Sequence, residues 1–202
     1  RGDGFTQSPD PNDERVEEHA LSNLGRSKET FVSHYRDEIK TGSAYSIEAY
    51  ARMPIWVAVE AFSFGSLSRL IEASSKSGVL HDMAASMNVS PTTLPSQVRS
   101  FVYLRNRNAH CAKLWNHAVL DRPGILSNIA RRAKRDHRQF SDHSIYKIFV
   151  ALDQVATKTG LQKDWLASRV EPILATNALL AAGIATPARY GEMAPKLLTA
   201  DR

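Results

Sequence analysis

Apolar positions along this chain recur at helical spacing almost throughout, and no stretch alternates convincingly as a strand. Asp10-Pro11, followed by Asp13, Glu14, Glu17 and Glu18, reads as a helix start with Gly25 as its stop. Ser27 is positioned to cap a second helix, which gathers Phe31, Val32, Tyr35 and Ile39 before Gly42 ends it. Pro54 opens a third, carrying Ile55, Val57, Val59, Phe62, Leu67 and Leu70 around most of its circumference. A helix that is apolar on nearly every side is expected at the centre of a bundle. Gly65 inside it costs about 1 kcal/mol relative to alanine, so close packing of a neighbour is the expected reason for its presence.

A short helix over 80–87 comes next, and Ser90-Pro91 with Pro95 marks the start of another. Asp121-Arg122-Pro123-Gly124 is a turn signal. Beyond it the pattern predicts a basic helix over 125–138 and an amphipathic one over 144–159, with Ile145, Ile148, Phe149, Leu152 and Val155 inward. A last helix over 165–181 bends near Pro172. There is no internal repeat. The expected organisation is all-α: a polar, acidic segment (1–26), a helical domain (27–182) and a weakly patterned tail (183–202).

Composition narrows the class. The chain is 43% hydrophobic and 23% charged, ordinary for a globular protein, and no run approaches the ~18 apolar residues of a membrane span. The first residues lack a signal-like apolar stretch, and the single cysteine, Cys111, leaves no internal disulfide framework. A cytoplasmic protein is expected. The formal charge is +5, and the basic excess gathers downstream of Arg99. Arg99, Arg105, Arg107 and Lys113 form one cluster, and Arg131, Arg132, Lys134, Arg135 and Arg138 another, which would suit a polyanionic partner.

The candidate chemistry lies in 101–117. On a continuous helix Asn106, His110, Lys113 and His117 would share a face, at i, i+4, i+7 and i+11. Arg105 stands about 140° from His110, so the pair converges only through the arginine's reach, a local distortion, or a second copy of the motif. An imidazole beside a guanidinium suits RNA cleavage without metal, because RNA carries its own nucleophile in the 2′-hydroxyl. Arginine can hold the phosphate and its developing charge, and asparagine can orient substrate or imidazole. Spacing by itself favours the plainer alternative, a solvated polar face, since Arg and His at this separation recur in basic helices.

The run Leu104-Arg105-Asn106-Arg107-Asn108-Ala109-His110, then Lys113-Leu114-Trp115-Asn116, resembles the signature of Abi-like proteins, the AbiD/AbiF abortive-infection group of the HEPN superfamily. A second block is similar to that family upstream: Met53-Pro54-Ile55-Trp56-Val57 through Glu60, then Ser63-Phe64-Gly65-Ser66-Leu67-Ser68. The segment Glu29 to Tyr35 resembles the family's approach to that block, and the matches together span 27–120. The resemblance implies a HEPN-type helical bundle with a metal-independent ribonuclease centre. Arg105 would bind phosphate, Asn106 would be the polar residue beside it, and His110 the acid–base residue. Two such motifs would meet across a twofold interface, making a homodimer. RNA is the implied substrate, and a toxin–antitoxin or phage-defence role is implied, with a non-coding RNA or a protein as antitoxin. Family members usually carry a longer N-terminal portion with an early helix, so a bundle short of that portion is expected. Cys111 stands where the family often has a second histidine, and gains no role from the resemblance.

Arg107, Lys113, Asn116, His117, Arg131, Arg132, Lys134 and Arg135 are the further candidate RNA contacts. The 131–138 run reads equally well as a solvated helix face, and His117 reads more readily as a structural or surface histidine than as a second acid–base group. Trp56, Phe62 and Phe64 are expected in the core rather than as a base-stacking platform. Glu60, in an apolar helix, is expected to need a partner, either local or in the Arg105 cluster. His137, His143 and Cys111 lack metal-ligand spacing, so no metal site and no cofactor are expected. The competing functional class is a catalytically silent HEPN-type module that binds RNA or protein.

Overall fold

The computed structural model describes residues 16–76 and 78–187. The chain is mostly helical and divides into two compact units between His81 and Asp82. The expected start of the first helix at Asp10-Pro11 and most of the C-terminal tail lie outside the described residues.

The first unit opens with α1 (Val16–Arg26), which runs one residue past the expected stop at Gly25. The second helix is much shorter than its periodicity implied: α2 covers only Thr30–Tyr35, with Val32 fully buried. The chain then turns into an antiparallel pair, β1 (Lys40–Thr41) and β2 (Ala44–Tyr45). Gly42, expected to end a helix, takes φ +65° at the first position of the two-residue turn. Only a residue without Cβ accepts that conformation cheaply, and such turns match strand twist. Ile39 is therefore exposed rather than packed with Phe31.

The expected central helix is two helices, α3 (Ile55–Glu60) and α4 (Phe64–Ala73). Ser63 explains the break, because its Oγ accepts the Ser66 N–H at 3.1 Å and caps a new helix. Gly65 then lies in a first turn, where the penalty for a glycine in a helix interior does not apply. Short helices leave one side open. Trp56 and Ile55 are 71% and 65% exposed, and Glu60 is exposed too, so neither the core role of Trp56 nor a buried need of Glu60 for a cation holds. The core of this unit gathers Leu24, Val32, Ala49, Tyr50 and Ala58, with Phe62 packed against it.

The chain passes through α5 (Val79–Ser86) into the second unit, whose helices are α6 (Leu94–Ala109), α7 (Ser127–Asp136), α8 (Ile145–Lys158), α9 (Glu171–Ala175) and α10 (Ala178–Ala185). The pattern located α8 closely. Ser144 caps it by accepting the Lys147 N–H, and Ile145 and Ile148 are fully buried. Tyr146 is buried as well, and its hydroxyl donates to the Glu171 carboxylate, which Arg138 grips through Nε and a terminal nitrogen. Burial alone would raise the Glu171 carboxyl, but the Arg138 guanidinium and the Tyr146 hydroxyl outweigh it and hold it below the usual range. Arg138 is thus committed to the core side of its unit.

The expected helix over 165–181 is interrupted twice. Pro172 lacks an N–H and crowds the preceding turn, and the chain meets it with a π-helical segment, Leu166–Val170. Asn177 then restarts the helix as α10, its Oδ1 accepting the Leu180 N–H at 2.9 Å. The turn at Pro123-Gly124 docks on α6: Gly124 donates to Ser96 Oγ, and Gln97 Nε2 donates to the Gly124 carbonyl, both at 2.9 Å. No helix among the described residues is long and apolar enough to cross a membrane.

Candidate functional site

The C-terminal end of α6 carries the residues that the pattern singled out. The helix does not run on to His117. It stops at Ala109, with His110 as its C-cap, and Cys111 takes φ +50°. The Cys111 N–H donates to the Asn108 carbonyl at 3.0 Å and the Ala112 N–H to the Arg107 carbonyl at 2.7 Å. These two bonds make a Schellman ending, which satisfies carbonyls that would otherwise be orphaned. The residue at the left-handed position is normally glycine. Cysteine there bears a steric cost, so Cys111→Gly is expected to stabilise the protein by about 0.5 kcal/mol. Urea unfolding measures this, and a lower midpoint for the variant would contradict the reading of the turn.

The four-residue polar stripe is therefore cut at His110. The His110 N–H still bonds the Asn106 carbonyl at 3.0 Å, so those two residues keep their one-turn relation. Arg105, Asn106 and His110 are all exposed. Arg105 Nη1 donates to Asn106 Oδ1 at 3.0 Å. On the helix Asn106 lies about 100° from Arg105 and about 40° from His110, so this bond draws the guanidinium toward the histidine's side.

Lys113 and His117 reach α6 by another route. Arg107 Nε donates to the Lys113 carbonyl at 3.1 Å, a second guanidinium nitrogen does the same, and the loop folds back along the helix. His117 then lies parallel to the ring of Tyr103, centroids 6.0 Å apart and planes 15° from parallel. Burial, then the nearby Arg107 and Lys113 charges, hold the His117 imidazole below its usual pKa. Tyr103 was not singled out from the sequence, although its i, i+4 relation to Arg107 was the available signal.

The motif's tail is anchored by α10. Trp115 Nε1 donates to the Leu179 carbonyl at 3.1 Å, and the Asn116 N–H to the Gly183 carbonyl at 3.0 Å. Asn116 has φ +49°, a conformation asparagine tolerates better than most residues. Lys113 is exposed, with its ammonium 5.8 Å from the Trp115 ring. On α7, Arg131, Arg132 and Arg135 are exposed, while Lys134 is half-buried with its ammonium 5.0 Å from the Phe140 ring. Arg132 and Arg135 both reach Asp136, at 3.4 and 2.7 Å. Among the described residues no group of three or more His, Cys, Asp or Glu side chains is placed to hold a metal ion.

No curated protein and no solved structure matches this chain. A family model does, described as Abi-like protein, over residues 3–116. The match runs through α6 and its Schellman turn and ends at Asn116, the residue that ties the loop to α10. With more than half of its length matched by that model, the chain belongs to the Abi-like protein family.

Proposed function

We propose that this Abi-like protein is an endoribonuclease of HEPN type acting in abortive infection, with Arg105, Asn106 and His110 at the reacting phosphate. Family membership associates the chain with abortive-infection phage defence. The observation that carries the nuclease reading is the Arg105–Asn106 hydrogen bond, which draws an exposed guanidinium toward the side of α6 on which His110 stands. His110 would take the proton of the RNA 2′-hydroxyl as O2′ bonds to phosphorus. The P–O5′ bond breaks, and the leaving oxygen collects a proton. Arg105 would neutralise the charge gathering on the phosphoryl oxygens. Because the nucleophile is already in the substrate, a metal-generated hydroxide is not required by this route.

Asn106 spans only part of the angle between Arg105 and His110, and a second copy of the chain would supply the rest. An isologous twofold contact would bring two motifs around one phosphate. The test mixes Arg105→Ala protein with His110→Ala protein in excess EDTA. Mixed dimers are expected to recover cleavage that neither variant shows alone, leaving 2′,3′-cyclic phosphate ends. No recovery, in a wild-type protein that is active as a monomer, overturns the composite site. Activity abolished by EDTA and restored by a divalent ion overturns the mechanism.

A further inference from the structure

The folded-back loop creates a basic corner that the cleavage step does not use. Arg107 and Lys113 belong to it, and His117 closes it against Tyr103. The Arg107 guanidinium lies 5.7 Å from the Tyr103 ring, and burial followed by a charge from Arg107 acts on the Tyr103 hydroxyl. Asp121 is the carboxylate whose charge also reaches Tyr103. Three groups able to carry positive charge thus share one corner with an aromatic ring. Of these Lys113 is exposed, and Arg107 and His117 are half-buried.

We propose that Arg107, Lys113 and His117 form a subsite for an RNA phosphodiester next to the one cleaved, with the adjoining base placed beside the stacked Tyr103–His117 pair. The proposal rests on the nuclease reading only for the identity of the ligand. Tyr103, Arg107 and His110 fall within about 60° of one another on α6, so one strand laid along that face would meet both places. Aromatic side chains beside a basic groove are how single-stranded RNA is held.

Charge makes the subsite measurable. In the free protein burial, then the Arg107 and Lys113 charges, hold the His117 pKa below its usual value. A bound phosphodiester supplies a negative charge beside the imidazole, so the His117 pKa rises on binding. Affinity must then fall as pH rises through the His117 window, tenfold for each unit by which its midpoint moves on binding.

The experiment follows the His117 imidazole by proton NMR as pH is varied, with and without a saturating 2′-O-methyl oligonucleotide. That ligand has no 2′-hydroxyl to react, so the outcome is independent of cleavage. The resonance is assigned by its loss in His117→Asn. Its midpoint is expected to move to higher pH on binding. Lys113→Ala is expected to weaken binding and to lower the slope of log affinity against log salt by about 0.7. An unmoved midpoint, no binding of the oligonucleotide, or an equal response to the same concentration of inorganic phosphate overturns the subsite. A shifted midpoint in a protein that never cuts RNA keeps the subsite and removes the nuclease reading.

Discussion

Replacing His110 with alanine is expected to lower RNA cleavage about 10²–10⁴-fold, the range for loss of a positioned acid–base group. Expression of the wild-type chain should arrest bacterial growth, and the variant should relieve that arrest. The fold should survive, because His110 is exposed at a helix end and contributes its backbone, not its ring, to the Schellman turn. Alanine keeps the N–H that bonds Asn106. Circular dichroism and a thermal midpoint close to wild type would establish that the comparison is between two folded proteins. Equal toxicity of the folded variant would remove His110 from the chemistry. The alternative, a silent RNA-binding module, would then be favoured. Arg105→Ala is less clean, since it also frees the Asn106 Oδ1 now accepting from Nη1.

Gly183→Ala is expected to destabilise the protein by about 2 kcal/mol, even though alanine is the better helix former by about 1 kcal/mol. Gly183 lies inside α10, where propensity alone predicts a gain. A Cβ at that position would come within 2.5 Å of Trp115 Cδ1 and 2.7 Å of Cε2, and closer still to Nε1. The indole cannot retreat without giving up its hydrogen bond to the Leu179 carbonyl. Overpacking therefore outweighs propensity. Trp115→Ala removes a half-buried ring and that bond, at a cost of about 3 kcal/mol. The two losses should not add, because the three atoms nearest to a Cβ at 183 all belong to the indole and leave with it. A double variant no less stable than Trp115→Ala alone is the expected signature in urea unfolding. Additive losses would show that Gly183 is sensitive for another reason. Cleavage should fall with Trp115→Ala as well, since the indole anchors the loop that carries Lys113 and His117.

Much of the helix content was legible along the chain. α8 was placed to within a residue, because Ser144 is a strong cap and Ile145, Ile148 and Val155 keep one period between clear ends. Failures occurred where a single residue intervened. Ser63 divided an apolar run into α3 and α4, and Gly42 turned a hairpin rather than ending a helix. Periodicity is blind to such choices, since a capping hydroxyl or a positive φ adds about 1 kcal/mol at one position and leaves the pattern intact.

The site shows the same division. The sequence by itself determined that an arginine, an asparagine and a histidine stand together near the end of a helix, within an Abi-like motif. Only the tertiary structure decided that the polar stripe ends at His110, since Cys111 carries no outward mark of a left-handed turn. It also decided that Trp115 and Asn116 are tethers, because their partners, Leu179 and Gly183, lie more than sixty residues away. His117 joins Tyr103 through that tethered loop and not through helical spacing. Local chemistry depends on neighbours along the chain. Where a side chain ends up depends on contacts made at long separation, which no local pattern encodes.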